Sequence, residues 1–94
     1  MARDSSRFKK AFGGALRRIR RARGLTQEAF AGVSSRTYVG SLEQSRKSPT
    51  LEKVNSLCEV LKCHPLTLLA LAYAGDGDHR ALLRKIEKEL DDLK

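Results

Sequence analysis

Apolar side chains in this chain recur three or four residues apart in segment after segment, and nowhere do they alternate with polar ones long enough to build a strand. That spacing restricts the fold to helices packed on helices, an all-α class. Phe8, Phe12, Leu16 and Ile19 form one face of a first helix, with Ser5 or Ser6 as its cap and Gly24 as its end. Gly13 and Gly14 interrupt that helix, and each costs about 1 kcal/mol against alanine in a helix interior. The pair predicts either an irregular first turn or a second backbone lying close to it.

Further along, Thr26 caps a short second helix that Gly32-Val33-Ser34 closes. Ser35 caps a third, running to about Gln44 with Val39 and Leu42 inward. Pro49 keeps the basic loop 45–49 out of helix. Thr50 then caps a fourth helix with Leu51, Val54, Leu57, Cys58 and Leu61 inward, and His64-Pro65 separates it from a fifth at 66–74. Gly75-Asp76-Gly77 marks a hinge before a sixth helix at 78–93. The expected organisation is a mobile arm at 1–7, a helical domain at 8–74, and a hinge with a C-terminal amphipathic helix at 75–94.

Charge divides the chain in the same place. The 94 residues carry 19 Lys/Arg and 11 Asp/Glu, a net charge of +8. Residues 1–47 hold twelve basic and three acidic side chains (+9), whereas residues 48–94 hold seven and eight (−1). The whole surplus lies in the first half, which points to a polyanion-facing surface there. A chain this short buries one small core and leaves no material for a large catalytic cleft.

Other classes are excluded by what the residues lack. No apolar run reaches the roughly 18 residues of a membrane span, and the polar N-terminus has no apolar segment of a signal peptide. Cys58 and Cys63 stand five apart with no second pair, neither a disulfide framework nor a zinc spacing. They read as small apolar core residues, with a redox switch as the alternative. His64 and His79 are isolated from carboxylates, and no nucleophile–base pair or phosphate-cradling loop is present. The reading is a non-enzymatic protein of the reducing cytoplasm with no cofactor and no metal.

Two short helices joined tightly, the second rich in small polar residues and arginine, suit the DNA major groove. The motifs Leu25-Thr26-Gln27-Glu28, Ser35-Arg36-Thr37-Tyr38-Val39, Leu42-Glu43, Arg46-Lys47-Ser48-Pro49-Thr50-Leu51 and His64-Pro65 before Leu68-Leu69 occur in continuous order. On these residues the sequence resembles the Cro/lambda-repressor-like helix-turn-helix regulators. The resemblance implies a compact five-helix DNA-binding domain, with the C-terminal helix as an addition. It departs from the family pattern twice. Between Gln27 and Val39 the chain is about two residues short, so the second helix or its turn is truncated. Gln44-Ser45 replaces the usual glycine after Leu42-Glu43.

The resemblance also implies roles. Arg36, Thr37 and Ser41 match base-reading positions; an arginine gripping guanine O6 and N7 contributes about 1–3 kcal/mol of discrimination. Gln27, Tyr38, Arg46, Lys47 and Ser48 match backbone-contacting positions, and Arg20 with Glu43 matches a structural ion pair. Arg17, Arg18, Arg20, Arg21 and Arg23 encircle the first helix, so most of that run reads as solvated field, with Arg17 the candidate for phosphate. Arg3 and Arg7 read as a solvated end or as a minor-groove arm. Leu82, Leu83, Ile86, Leu90 and Leu93 form a stripe, joined by Leu71, that pairs with a second copy or packs on its own domain. The expected function is a sequence-specific regulator, bacterial or phage-encoded, binding a double-stranded operator as a homodimer. The alternatives are an antitoxin, a restriction–modification or phage controller, and a non-specific nucleic-acid binder.

Overall fold

The structure, a computed structural model, describes residues 2–94, with side chains from Ser6 onward. Five α-helices and one 3-10 turn follow in order: α1 (Ala2–Ala22), η1 (Gln27–Phe30), α2 (Arg36–Glu43), α3 (Leu51–Leu61), α4 (Pro65–Ala74) and α5 (His79–Asp92). No strand occurs among the described residues. The expected third to sixth helices are therefore α2 to α5. The expected second helix is a single 3-10 turn, which is where the two missing residues are absorbed.

The caps act as their residue types dictate. Ser35 Oγ accepts from the Tyr38 N–H at 3.0 Å, Thr50 Oγ1 from Lys53 at 3.0 Å, and Asp78 Oδ1 from Arg80 at 2.9 Å. At α4 the His64 Nδ1 accepts from the Leu66 N–H at 3.0 Å, ahead of Pro65 in the first turn. Thr26 is the exception: expected to cap the second helix, it makes no side-chain cap bond at η1.

Three stops share one geometry. A left-handed residue (Gly24, Ser45, Lys62) follows α1, α2 and α3, and the next N–H folds back onto the helix: Leu25 to Arg20 O, Arg46 to Ser41 O, Cys63 to Cys58 O. Only the first of these stops uses glycine.

Phe12 and Leu16 of α1, Phe30 of η1, Val39 and Leu42 of α2, Leu57 and Leu61 of α3 and Leu68 of α4 are fully buried together. Gly13 explains itself where α1 crosses α2. A Cβ there would stand 2.5 Å from the Leu42 carbonyl oxygen and 3.0 Å from that of Glu43. The two backbones touch, so the second of the two expectations for the glycine pair is the one realised. Gly14 is exposed, with nothing near its missing Cβ.

Three expectations are corrected. Helix α1 begins at Ala2, so Ser5 and Ser6 lie inside it rather than capping it, and residues 2–7 continue the helix instead of forming a separate arm. The side chains of residues 1–5, Arg3 among them, fall outside the described residues. Leu51 is 73% exposed, because the first turn of α3 projects past the core that Val54 and Leu57 enter. No single helix is long and apolar enough to cross a membrane; α3 and α4 reach that length only together, across a 105° bend.

Candidate nucleic-acid interface

Helix α2 has two faces with different duties. Val39, Leu42 and Glu43 point into the protein, while Arg36 and Thr37 are exposed and Ser41 is half-buried on the other side. Those three line a shallow open hollow of about 270 Å³ with Gln27, Gly40, Gln44 and Arg46. Sequence reasoning assigned five of these seven residues. It missed Gln44, the cap residue of α2, and Gly40, where a Cβ would sit 3.7 Å from Gln27 Oε1. A glutamine one turn beyond Gly40 was a legible signal, since the carboxamide matches adenine edges as well as phosphates.

Beneath this hollow lies the Glu43 carboxylate, its side chain fully buried. Arg20 grips it with both ends of the guanidinium fork, Nε to Oε2 at 2.6 Å and Nη2 to Oε1 at 2.9 Å, and donates Nη1 to the Leu25 carbonyl at 2.9 Å. Gln27 Nε2 donates to Oε1 at 3.1 Å, and Arg17 Nε stands 3.5 Å from the same oxygen. Burial alone would push the Glu43 carboxyl pKa up. The bonds from Arg20, Gln27 and Arg17 and the Arg20 charge outweigh it and hold the pKa below the usual carboxylate value. Arg20 is raised by its bond to Glu43, against the opposing effect of burial. One carboxylate thus ties α1, η1 and α2 into a fixed arrangement under the exposed face of α2.

The basic residues around the hollow are sorted by what they touch. Arg36 Nη1 lies 3.6 Å from Glu28 Oε1, an exposed pair that carries little stability. Lys47 and Lys53 place their ammonium groups 5.6 and 5.3 Å from the Tyr38 ring centre. Lys53 also donates to the Val33 carbonyl at 2.9 Å, bracing the shortened turn before α2. Arg46, Lys47 and Ser48 are exposed on the loop beyond α2. Within the arginine run, Arg18 and Arg21 are exposed. Arg23, also exposed, donates to the Leu61 and Lys62 carbonyls at 3.0 and 3.3 Å. Arg7 lines a small hollow with Phe8, Ala11, Ala72 and Tyr73, against α4.

On α5 the apolar stripe is largely uncovered. Leu83, Ile86, Leu90 and Leu93 are 49%, 39%, 58% and 82% exposed, and Leu82 is half-buried. Leu83 joins Leu71, Ile19 and Leu66 around an apolar groove of about 390 Å³ between α4 and α5. It also lines a second hollow with Ile86 and Leu90, so one apolar strip runs the length of α5. Among the described residues, no three His, Cys, Asp or Glu side chains gather as a metal would require.

Comparison with known proteins follows the same outline. Two crystal structures of the clp gene regulator ClgR from Corynebacterium glutamicum superpose on this chain. One is 29% identical with a TM-score of 0.68, covering 74% of this chain and 94% of that one. The other is 26% identical with a TM-score of 0.66, covering 92% and 88%. No curated protein matches the sequence. The profile of the helix-turn-helix domain matches residues 11–72, more than half of the chain, from the middle of α1 through most of α4. The chain belongs to the helix-turn-helix domain family.

Proposed function

We propose that this protein is a DNA-binding transcriptional regulator that recognises a specific operator through α2. The observation that carries the reading is the convergence of Gln27, Arg36, Thr37, Ser41, Gln44 and Arg46 around one open hollow on the exposed face of α2. Similarity to a gene regulator supports it. With α2 in the major groove, Arg36, Thr37 and Ser41 read base edges. Gln27, Tyr38, Arg46, Lys47, Ser48 and Arg17 hold phosphates, which positions the domain without specifying sequence.

One eight-residue reading helix carries modest specificity, and the uncovered α5 stripe supplies a way to double it. In the proposed assembly Leu71, Leu82, Leu83, Ile86, Leu90 and Leu93 pair with a second copy. Two α2 helices then meet half-sites about 34 Å apart, or a multiple of that, on a pseudo-palindromic operator. Occupancy of such a site blocks polymerase, so the regulator acts as a repressor.

Selection of bound sequences from a random DNA pool, followed by titration of variants on the selected site, tests the reading. Arg36→Ala loses discrimination at one base pair per half-site. Lys47→Ala weakens all sequences alike and flattens the salt dependence. Uniform weakening by Arg36→Ala would falsify the assignment of α2 as the reading helix.

A further inference from the structure

Cys58 and Cys63 take no part in the interface, yet the fold forces them together. Helix α3 stops with Lys62 in the left-handed conformation, and the Cys63 N–H donates to the Cys58 carbonyl at 3.2 Å. In this kind of cap the residue after the left-handed one folds back over the residue three before the helix end, normally to make an apolar contact. Here both of those positions are cysteine, and both thiols are free. That backbone bond sets the two residues side by side across a single turn of the cap. The elbow is also held from outside, because Arg23 binds the Leu61 and Lys62 carbonyls between the two cysteines.

The surroundings of the two thiols differ. Cys58 is buried in the core, and burial together with the neighbouring Cys63 pushes its thiol up to about 12. Cys63 is half-exposed at the edge of the α3–α4 elbow. Solvent and oxidants therefore reach Cys63 first, and Cys58 waits behind it.

We propose that Cys58 and Cys63 form an intramolecular disulfide when the protein meets a hydroperoxide, a reversible modification that staples the last turn of α3 to the linker before α4. The Cys63 thiolate attacks the peroxide, the O–O bond breaks, an alcohol (or water, from hydrogen peroxide) leaves, and Cys63 carries a sulfenic acid. The Cys58 sulfur then displaces that oxygen: an S–S bond forms, the S–O bond breaks, and water leaves with the Cys58 proton. Two thiols lose two electrons in all, and one hydroperoxide is reduced.

The test treats the reduced full chain with one equivalent of hydrogen peroxide, quenches in acid, alkylates in denaturant and measures intact mass. The expected product has lost two hydrogens, takes no alkyl group, stays monomeric on a non-reducing gel and recovers both thiols with dithiothreitol. Cys58→Ala stops at a Cys63 sulfenic acid that dimedone traps; Cys63→Ser leaves Cys58 fully alkylatable. Circular dichroism of both variants checks that the fold is kept. Disulfides between chains, over-oxidation of Cys63 with Cys58 still alkylatable, or two unreacted thiols each overturn the proposal.

Discussion

Replacing Glu43 by glutamine removes one charge and almost no volume, so its effect isolates the ion cluster beneath α2. The carboxylate accepts two bonds from Arg20, one from Gln27 and a long one from Arg17, and its side chain is wholly buried. A carboxamide offers one acceptor oxygen and turns an N–H toward a donor of the Arg20 fork. Breaking a buried pair from one side costs about 3–5 kcal/mol, because the remaining charge stays desolvated. The Arg20 side chain is 12% exposed and keeps its bond to the Leu25 carbonyl. That relief places Glu43→Gln near the lower end, about 3 kcal/mol. For a domain of this size that is a fall in Tm of roughly 12–24 °C.

Acid should erase the difference. The folded Glu43 carboxyl titrates below its unfolded value, so its stabilisation is complete above the unfolded value and disappears as pH falls through the folded one. Thermal unfolding followed by circular dichroism should show wild type well above Glu43→Gln at pH 7, with the gap closing as the solution is acidified through and below the carboxylate range. A loss under about 1 kcal/mol at pH 7 would mean that water already solvates the cluster and that the surface-pair regime applies. A gap that does not change with pH would mean that packing, not charge, is what the substitution damages.

Other substitutions test separate links. Gly13→Ala should destabilise by about 1–3 kcal/mol or more in urea unfolding, since its Cβ meets backbone at 2.5 Å, whereas Gly14→Ala, in open space, should stabilise by up to about 1 kcal/mol. Ser45→Gly should raise stability by about 1 kcal/mol, because Ser45 holds a φ of 65°; a neutral or negative change in Tm would show that its side chain compensates. A chain ending at Gly75 should keep its helical spectrum but scatter light as a monomer, while the full chain scatters as a dimer. Equal masses for the two chains would remove α5 from the proposed assembly.

Local chemistry was legible where it acts within a few residues. Ser35 and Thr50 cap the helices they precede, and Gly24 ends α1, because a cap needs only a side-chain oxygen or a free φ at one position. Leu51 was misread because periodicity gives the side of a helix but not how far along the helix the core extends. The targets of the arginines were hidden for a related reason. Arg18, Arg20, Arg21 and Arg23 look alike in sequence, yet Arg20 finds a carboxylate 23 residues away and Arg23 finds carbonyls 38 and 39 residues away. Those partners exist only once α1, α2 and α3 have packed. The Arg20–Glu43 pair came from family resemblance, and Gln44 was read only as the end of its helix, although its spacing from Gly40 and Ser41 already set it on their side.

Helix α2 divides its eight residues so that the atoms holding the protein together and the atoms facing solvent hardly overlap. Changing Arg36 or Thr37 removes no buried packing and, at Arg36, breaks only an exposed ion pair. Under the proposed function, variation at those positions explores new partner sequences without first weakening the scaffold that presents them. Duplicated copies of such a gene could diverge in what they recognise while every intermediate still folds.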